Sequence, residues 1–167
     1  MKKIMEMLQN MKAKNEKKDN KGFSLVELII VIAIMAILVG IVGTQVLPYI
    51  NKSKEAKDFQ IINSYGTAAT TAYSSAAEKV TALTTVTMDD TPETTNSTEA
   101  AKSLAAEIQK LTGYNKITDN LIPKMGSEKG KTITKIEIII DPETTKTIKT
   151  QAYAGTKKVF DEVVTQL

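Results

Sequence analysis

Residues Lys21 to Gly40 read K-G-F-S-L-V-E-L-I-I-V-I-A-I-M-A-I-L-V-G, with a single carboxylate, Glu27, near the start of an otherwise uncharged apolar run. From Leu28 to Asn51 no charged residue occurs. As a helix those 24 residues would be about 36 Å long, enough to cross a bilayer core. The run is too long for a secretory h-region and no A-x-A-like cleavage site follows it, so it reads as a retained membrane helix. Upstream, residues 1–22 are polar and lysine-rich, with a short helix expected around Ile4, Met7, Leu8 and Met11. They carry seven lysines against Glu6, Glu16 and Asp19, a net of +4, so the other 145 residues carry −1. The lysine-rich side is expected to stay in the cytoplasm, which places residues after about 50 outside. Because the basicity belongs to the leader, no nucleic-acid partner is expected for the rest of the chain.

The 167 residues suffice for one modest domain and an appended element. Cysteine, histidine, tryptophan and arginine are all absent, which excludes disulfides, thiol nucleophiles, Cys/His metal sites and imidazole acid–base chemistry. No catalytic constellation and no phosphate-binding glycine loop is found, so no enzyme activity, cofactor or metal is expected. Asp89-Asp90 is read as a solvated pair in a threonine-rich loop rather than a cation site. Asp141 and Glu143 flank a turn that Asp-Pro explains by backbone geometry alone. Asn51-Lys52-Ser53 and Asn96-Ser97-Thr98 match the N-glycosylation sequon, a pattern frequent by chance.

Beyond the apolar run, residues 52–83 continue as an amphipathic helix. Phe59, Ile62, Gly66, Ala69, Tyr73, Ala76, Val80 and Leu83 step by three and four along one stripe. Residues 84–167 form the head. Thr84 to Thr98 reads as a surface loop and Thr98 to Leu111 as a short helix. Thr132 to Ile140 and Thr145 to Ala154 read as strands joined by a turn at Asp141–Thr144. Val159, Phe160, Val163 and Val164 close the chain as a strand or a helical turn. The expected fold is α+β, a long N-terminal helix packed against a small antiparallel sheet of two to four strands. Ala33, Ala36, Gly40 and Gly43 offer small faces for close helix packing, and Pro48 is expected to kink the helix or end it locally.

Two readings of Glu27 compete. Ser24-Leu25-Val26-Glu27 is an S-x-x-E capping box, and a helix N-terminus favours negative charge. Alternatively, cleavage at the Gly22-Phe23 junction would leave a cationic amine four residues from Glu27, able to neutralise it within one subunit or across to the next. K-G-F-S-L-V-E-L followed by the long apolar run resembles the N-terminal signature of type IV pilins and the related pseudopilins, over residues 17–50. The resemblance implies a prepilin whose leader, residues 1–22, is removed after Gly22 by a prepilin peptidase. It implies N-methylation of the Phe23 amine, and pairing of Glu27 with the N-terminus of a neighbouring subunit during assembly. Residues 23–51 are then the transmembrane and assembly helix, and residues 84–167 an extracellular head. Gly40, Gly43 and Pro48 resemble the region that loosens when pilins enter a filament.

The implied partners are further pilin subunits in a homopolymer, the peptidase, membrane lipid before assembly, and an inner-membrane platform with a cytoplasmic ATPase. The implied function is that of a structural subunit, a major pilin, of an extracellular pilus for adhesion, surface motility or biofilm formation. The alternative is a pseudopilin of a type II secretion or DNA-uptake machine. Glu27 speaks against a tip-initiating minor subunit, which in this family can lack it. Absent cysteine is a departure from pilins that clamp their C-terminal region with a disulfide, so Val159 to Leu167 must be held by packing and hydrogen bonds.

Overall fold

The computed structural model describes residues 24–167, together with Met5 and Glu6. Of the expected leader helix only Met5 and Glu6 fall within this set, and both are helical. The rest of the leader, Gly22 included, and Phe23 lie outside the described residues. Helix extends over Leu25–Lys79, and the chain divides into two units, Met1–Val46 and Leu47–Leu167.

In the first unit, α1 (Leu25–Ile41) starts at Ser24, whose extended backbone and side chain form the N-cap, and none of its residues is buried. It is apolar all round rather than on one stripe, the pattern of a helix whose surroundings are themselves apolar. Over Val42–Val46 the helix widens into a π-type turn. There the Thr44 hydroxyl donates to the carbonyl of Gly40 at 3.0 Å. Such back-bonding and π-turns are sequence-local causes of helix bending.

The second unit opens with α2 (Leu47–Ala76), which buries Asp58, Ile62, Tyr65, Gly66, Ala68, Ala69 and Ala72 along one face. The expected stripe runs through that face, widened by Tyr65, Ala68 and Ala72. Its last member does not belong to the helix: after a 3-10 turn at Ala77–Lys79 the chain leaves helical geometry, and Leu83 is exposed. Val80 turns back into the core.

The threonine-rich stretch is not a loop. Thr84–Met88 is strand β1, followed by a single turn of helix, α3 (Pro92–Thr95), with Pro92 inside its start. β-branched threonines alternating with Val86 and Met88 make a strand with one buried face, and that period of two outweighs the polar composition. Next, α4 (Glu99–Thr112) is capped by Thr98, which accepts from the Ala101 amide, and ends at Gly113 with φ of 75°. After short π and 3-10 turns come β2 (Lys135–Asp141), β3 (Thr147–Ala154), β4 (Lys157–Lys158) and β5 (Val163–Gln166).

The sheet has five strands, more than the two to four expected, because both the threonine stretch and the chain end join it. The order is β1-β2-β3, with β4 and β5 both on the far side of β3 and every pairing antiparallel. The closing segment is therefore a strand, not a helical turn: Val163 to Gln166 pair with Thr150 to Thr147. Leu167 N–H adds a bond to the Lys146 carbonyl at 2.9 Å. Val159 and Phe160 are buried, so the C-terminal region is held by packing and backbone bonds in a chain with no cysteine. Helices α2 and α4 cover one face of the sheet, α4 against β1 and α2 against β3 and β5. Between them lies the core, with Val86, Met88, Ile136, Ile138, Ile140, Ile148 and Ala152 facing Ile62, Ala69, Leu104 and Ile108. This is the α+β pilin fold: a long N-terminal helix packed with a small antiparallel sheet.

Candidate functional site

At the start of α1 the capping box is formed. Ser24 N–H donates to Glu27 Oε2 at 2.9 Å, Ser24 Oγ accepts from the Val26 amide at 3.3 Å, and Leu28 N–H donates to the Ser24 carbonyl at 3.1 Å. Exposed amides at a helix start lack partners within the helix; the first two bonds satisfy those of Ser24 and Val26, the third is the first bond of the helix itself, and the box places a negative charge at the positive end of the helix dipole. The result is a carboxylate fixed in direction at the head of a wholly exposed apolar helix. Only Oε2 is engaged; Oε1 has no donor among the described residues. Gly22 and Phe23, the expected partners in processing, are outside those residues. Farther along, a Cβ added at Gly40 or Gly43 would meet nothing within 4 Å, so both glycines leave open surface on the helix. Pro48 lies in the first turn of α2, just past the π-type turn.

The acidic residues of the head serve its own loops. Asp89 accepts from Thr91 N–H at 2.8 Å and Thr95 Oγ at 2.6 Å, holding α3. Asp90 accepts from Thr118 N–H at 2.9 Å and Thr118 Oγ at 2.8 Å, and these donors, the backbone amide first, hold its carboxyl below the usual range. In this way Asp90, still in contact with solvent, caps a helical turn 28 residues away. Asp141 accepts from the Thr144 and Thr145 amides and from Thr145 Oγ, an Asx-type turn that lowers its pKa chiefly through the Thr144 bond. Glu143 is exposed on the same turn.

Asn96 has a structural use the sequon did not suggest. Its side-chain amide accepts from Thr87 N–H at 2.8 Å and donates to the Thr87 carbonyl at 2.9 Å and the Pro92 carbonyl at 2.6 Å. It imitates a neighbouring strand along the outer edge of β1, and at 4% exposure its nitrogen is closed to a glycosylating enzyme in the folded chain. Asn51 is exposed.

One organising residue escaped the sequence reading. Asp58, 1% exposed on α2, accepts from Gly126 N–H and Ser127 N–H, each at 2.8 Å, and from the Ser127 hydroxyl. Gly130 N–H donates in turn to Ser127 Oγ at 2.9 Å, and a Cβ at Gly130 would collide with Asp58 Oδ2. The available signal was a carboxylate four residues before Ile62 on the apolar face, with a Gly-Ser-x-x-Gly loop downstream.

The family model for the prokaryotic N-terminal methylation motif matches residues 17–43. That motif heads a helix long and apolar enough to cross a membrane, and it is similar to the N-terminal motif of type IV pilin-like prepilins with a class III signal peptide. The matched motif and the apolar helix support a type IV pilin-like prepilin and fit a membrane-anchored protein, and the motif implies processing by prepilin peptidase and assembly. No curated protein and no solved structure matches the chain.

Proposed function

We propose that the chain is the major structural subunit of an extracellular type IV pilus, polymerising through its N-terminal helix and serving adhesion, surface motility or biofilm formation. The observation that carries this reading is Glu27: a carboxylate pre-oriented by its own helix cap at the head of an apolar helix with no buried residue. In lipid such a charge costs a few kcal/mol unless it is partnered. Cleavage between Gly22 and Phe23 supplies a partner, since the Phe23 amine of a neighbouring subunit reaches the carboxylate while Oε2 keeps the Ser24 bond. Before assembly, residues 23–51 span the cytoplasmic membrane with residues 1–22 inside and the head, residues 84–167, outside. The amphipathic residues 52–83 join the two. Gly40 and Pro48 bracket the π-type turn and Gly43 lies within it, and we assign this stretch as the part of the helix that adjusts on entering the filament. A membrane platform and a cytoplasmic ATPase drive the addition of subunits.

The second reading is a pseudopilin of a type II secretion or DNA-uptake system, which the same N-terminal geometry would serve. Mass spectrometry of the N-terminal peptide from material sheared off cells separates the two. A methylated Phe23 terminus in abundant sheared filaments is the expected result; processed protein confined to the membrane fraction would favour the pseudopilin, and an intact leader would overturn both.

A further inference from the structure

The uncharged run ends at Asn51, and within the next six residues come Lys52, Lys54 and Lys57. They lie on the side opposite the leader, where the rule that keeps positive charge in the cytoplasm gives no reason for them. All three are exposed, and none makes an ion pair among the described residues, whereas Lys129 and Lys131 nearby are matched with Glu55 and Glu128. At about 100° per residue, Lys54 and Lys57 project roughly 200° and 140° around the helix from Lys52, so the ammonium groups spread over more than half of the circumference of α2 instead of sharing one narrow face. Axially they occupy only about 8 Å. Three residues earlier stands Tyr49, 74% exposed, an amphipathic ring of the kind that settles at a membrane–water boundary. A docked protein would cover one side of the helix. Charges spread around it at one depth, beneath a tyrosine and at the end of an apolar span, match a surface that the helix passes through.

We propose that Lys52, Lys54 and Lys57 form a collar that binds the phosphate headgroups of anionic lipids in the outer leaflet, holding the unassembled subunit at a fixed depth. This rests on the membrane-spanning reading of the apolar run. Long lysine stems let each ammonium reach the phosphate plane while the helix backbone stays at its own level.

The test uses the full-length chain reconstituted in phosphatidylcholine vesicles with trace spin-labelled phosphatidylglycerol or phosphatidylcholine, reading the motionally restricted fraction of each label. The wild type is expected to restrict the phosphatidylglycerol label about two- to fivefold more at low salt, with the preference fading at high salt. Lys52→Gln/Lys54→Gln/Lys57→Gln is expected to lose at least half of that preference. Lys52→Gln/Lys57→Gln guards against a folding defect, since Lys54 alone of the three packs its stem against the Gly126 loop. The leader lysines are the same in every variant, so the difference belongs to the collar. Equal preference in wild type and variants would overturn the proposal. So would a preference abolished by inorganic phosphate but not by chloride at equal ionic strength, which would assign the lysines to a soluble anion. Protease digestion of the same vesicles separates the underlying reading: if no fragment covering residues 28–51 is protected, the membrane-spanning reading fails and takes the collar with it.

Discussion

On the proposed reading Glu27 has two roles, one on each oxygen, and substitution can divide them. Glu27→Gln keeps an acceptor for Ser24 N–H and loses the charge, so membrane insertion should persist while the yield of sheared filaments drops at least tenfold. Glu27→Ala removes the cap as well, at a further cost of about 1 kcal/mol in helix stability. Filaments at normal yield from Glu27→Gln would leave only the capping role. At Thr150 the expectation runs the other way. Its hydroxyl is fully buried with no hydrogen-bond partner among the described residues, facing Gly66 on α2. Thr150→Val replaces it with a methyl of similar size, and thermal unfolding should show a change between nothing and about 2 kcal/mol of added stability. A clear loss would reveal a partner for that hydroxyl. The Ser24–Gly40 stretch was legible because its signal is local: a cap, a charge and an apolar run adjacent in the chain. Asp58 was not, because its donors lie 68 and 69 residues away and no periodicity reports such a distance.

Among the elements, β1 shows how composition misleads. Fifteen polar-looking residues from Thr84 to Thr98 suggested a loop, yet Val86 and Met88 are buried and pair in register with Ile138 and Ile136. What stabilises this strand comes partly from outside it, in the Asn96 side chain along its edge. Asn96→Ala strips three hydrogen bonds and uncovers the Thr87 amide and carbonyl, so a loss of about 1–3 kcal/mol is expected by denaturant unfolding, with a greater tendency to self-associate through that edge. A stability change within 0.5 kcal/mol, about the range of an ordinary surface substitution, would show that β1 needs no cover. Helix α4 and the β2–β3 hairpin were legible because capping residues, glycine and alternation all agree there. The fifth strand was not, since Val163 and Val164 fit a strand or a helical turn equally until β3 offers its edge.

For the molecule as a whole, the absence of histidine leaves no side chain whose ordinary pKa falls between about 5 and 8. Asp90 and Asp141 are more acidic folded than unfolded, so their contribution is complete above the usual aspartate value and disappears as pH falls through the lowered ones. Burial raises the pKa of Tyr65, so folding favours its neutral form, and that contribution is lost only as pH climbs past the ordinary tyrosine range. Melting temperature should therefore be flat from about pH 5 to about pH 9 and fall beyond both ends. A slope across neutrality would contradict this account. The Asp58 bonds give the molecule an order in time. A chain is made from its N-terminus, so α2 exists before Gly126, Ser127 and Gly130 have been added. Until they arrive, Asp58 has none of its donors; once they arrive, α2 is tied to the Gly126–Gly130 loop before any of the strands β2 to β5 has been made.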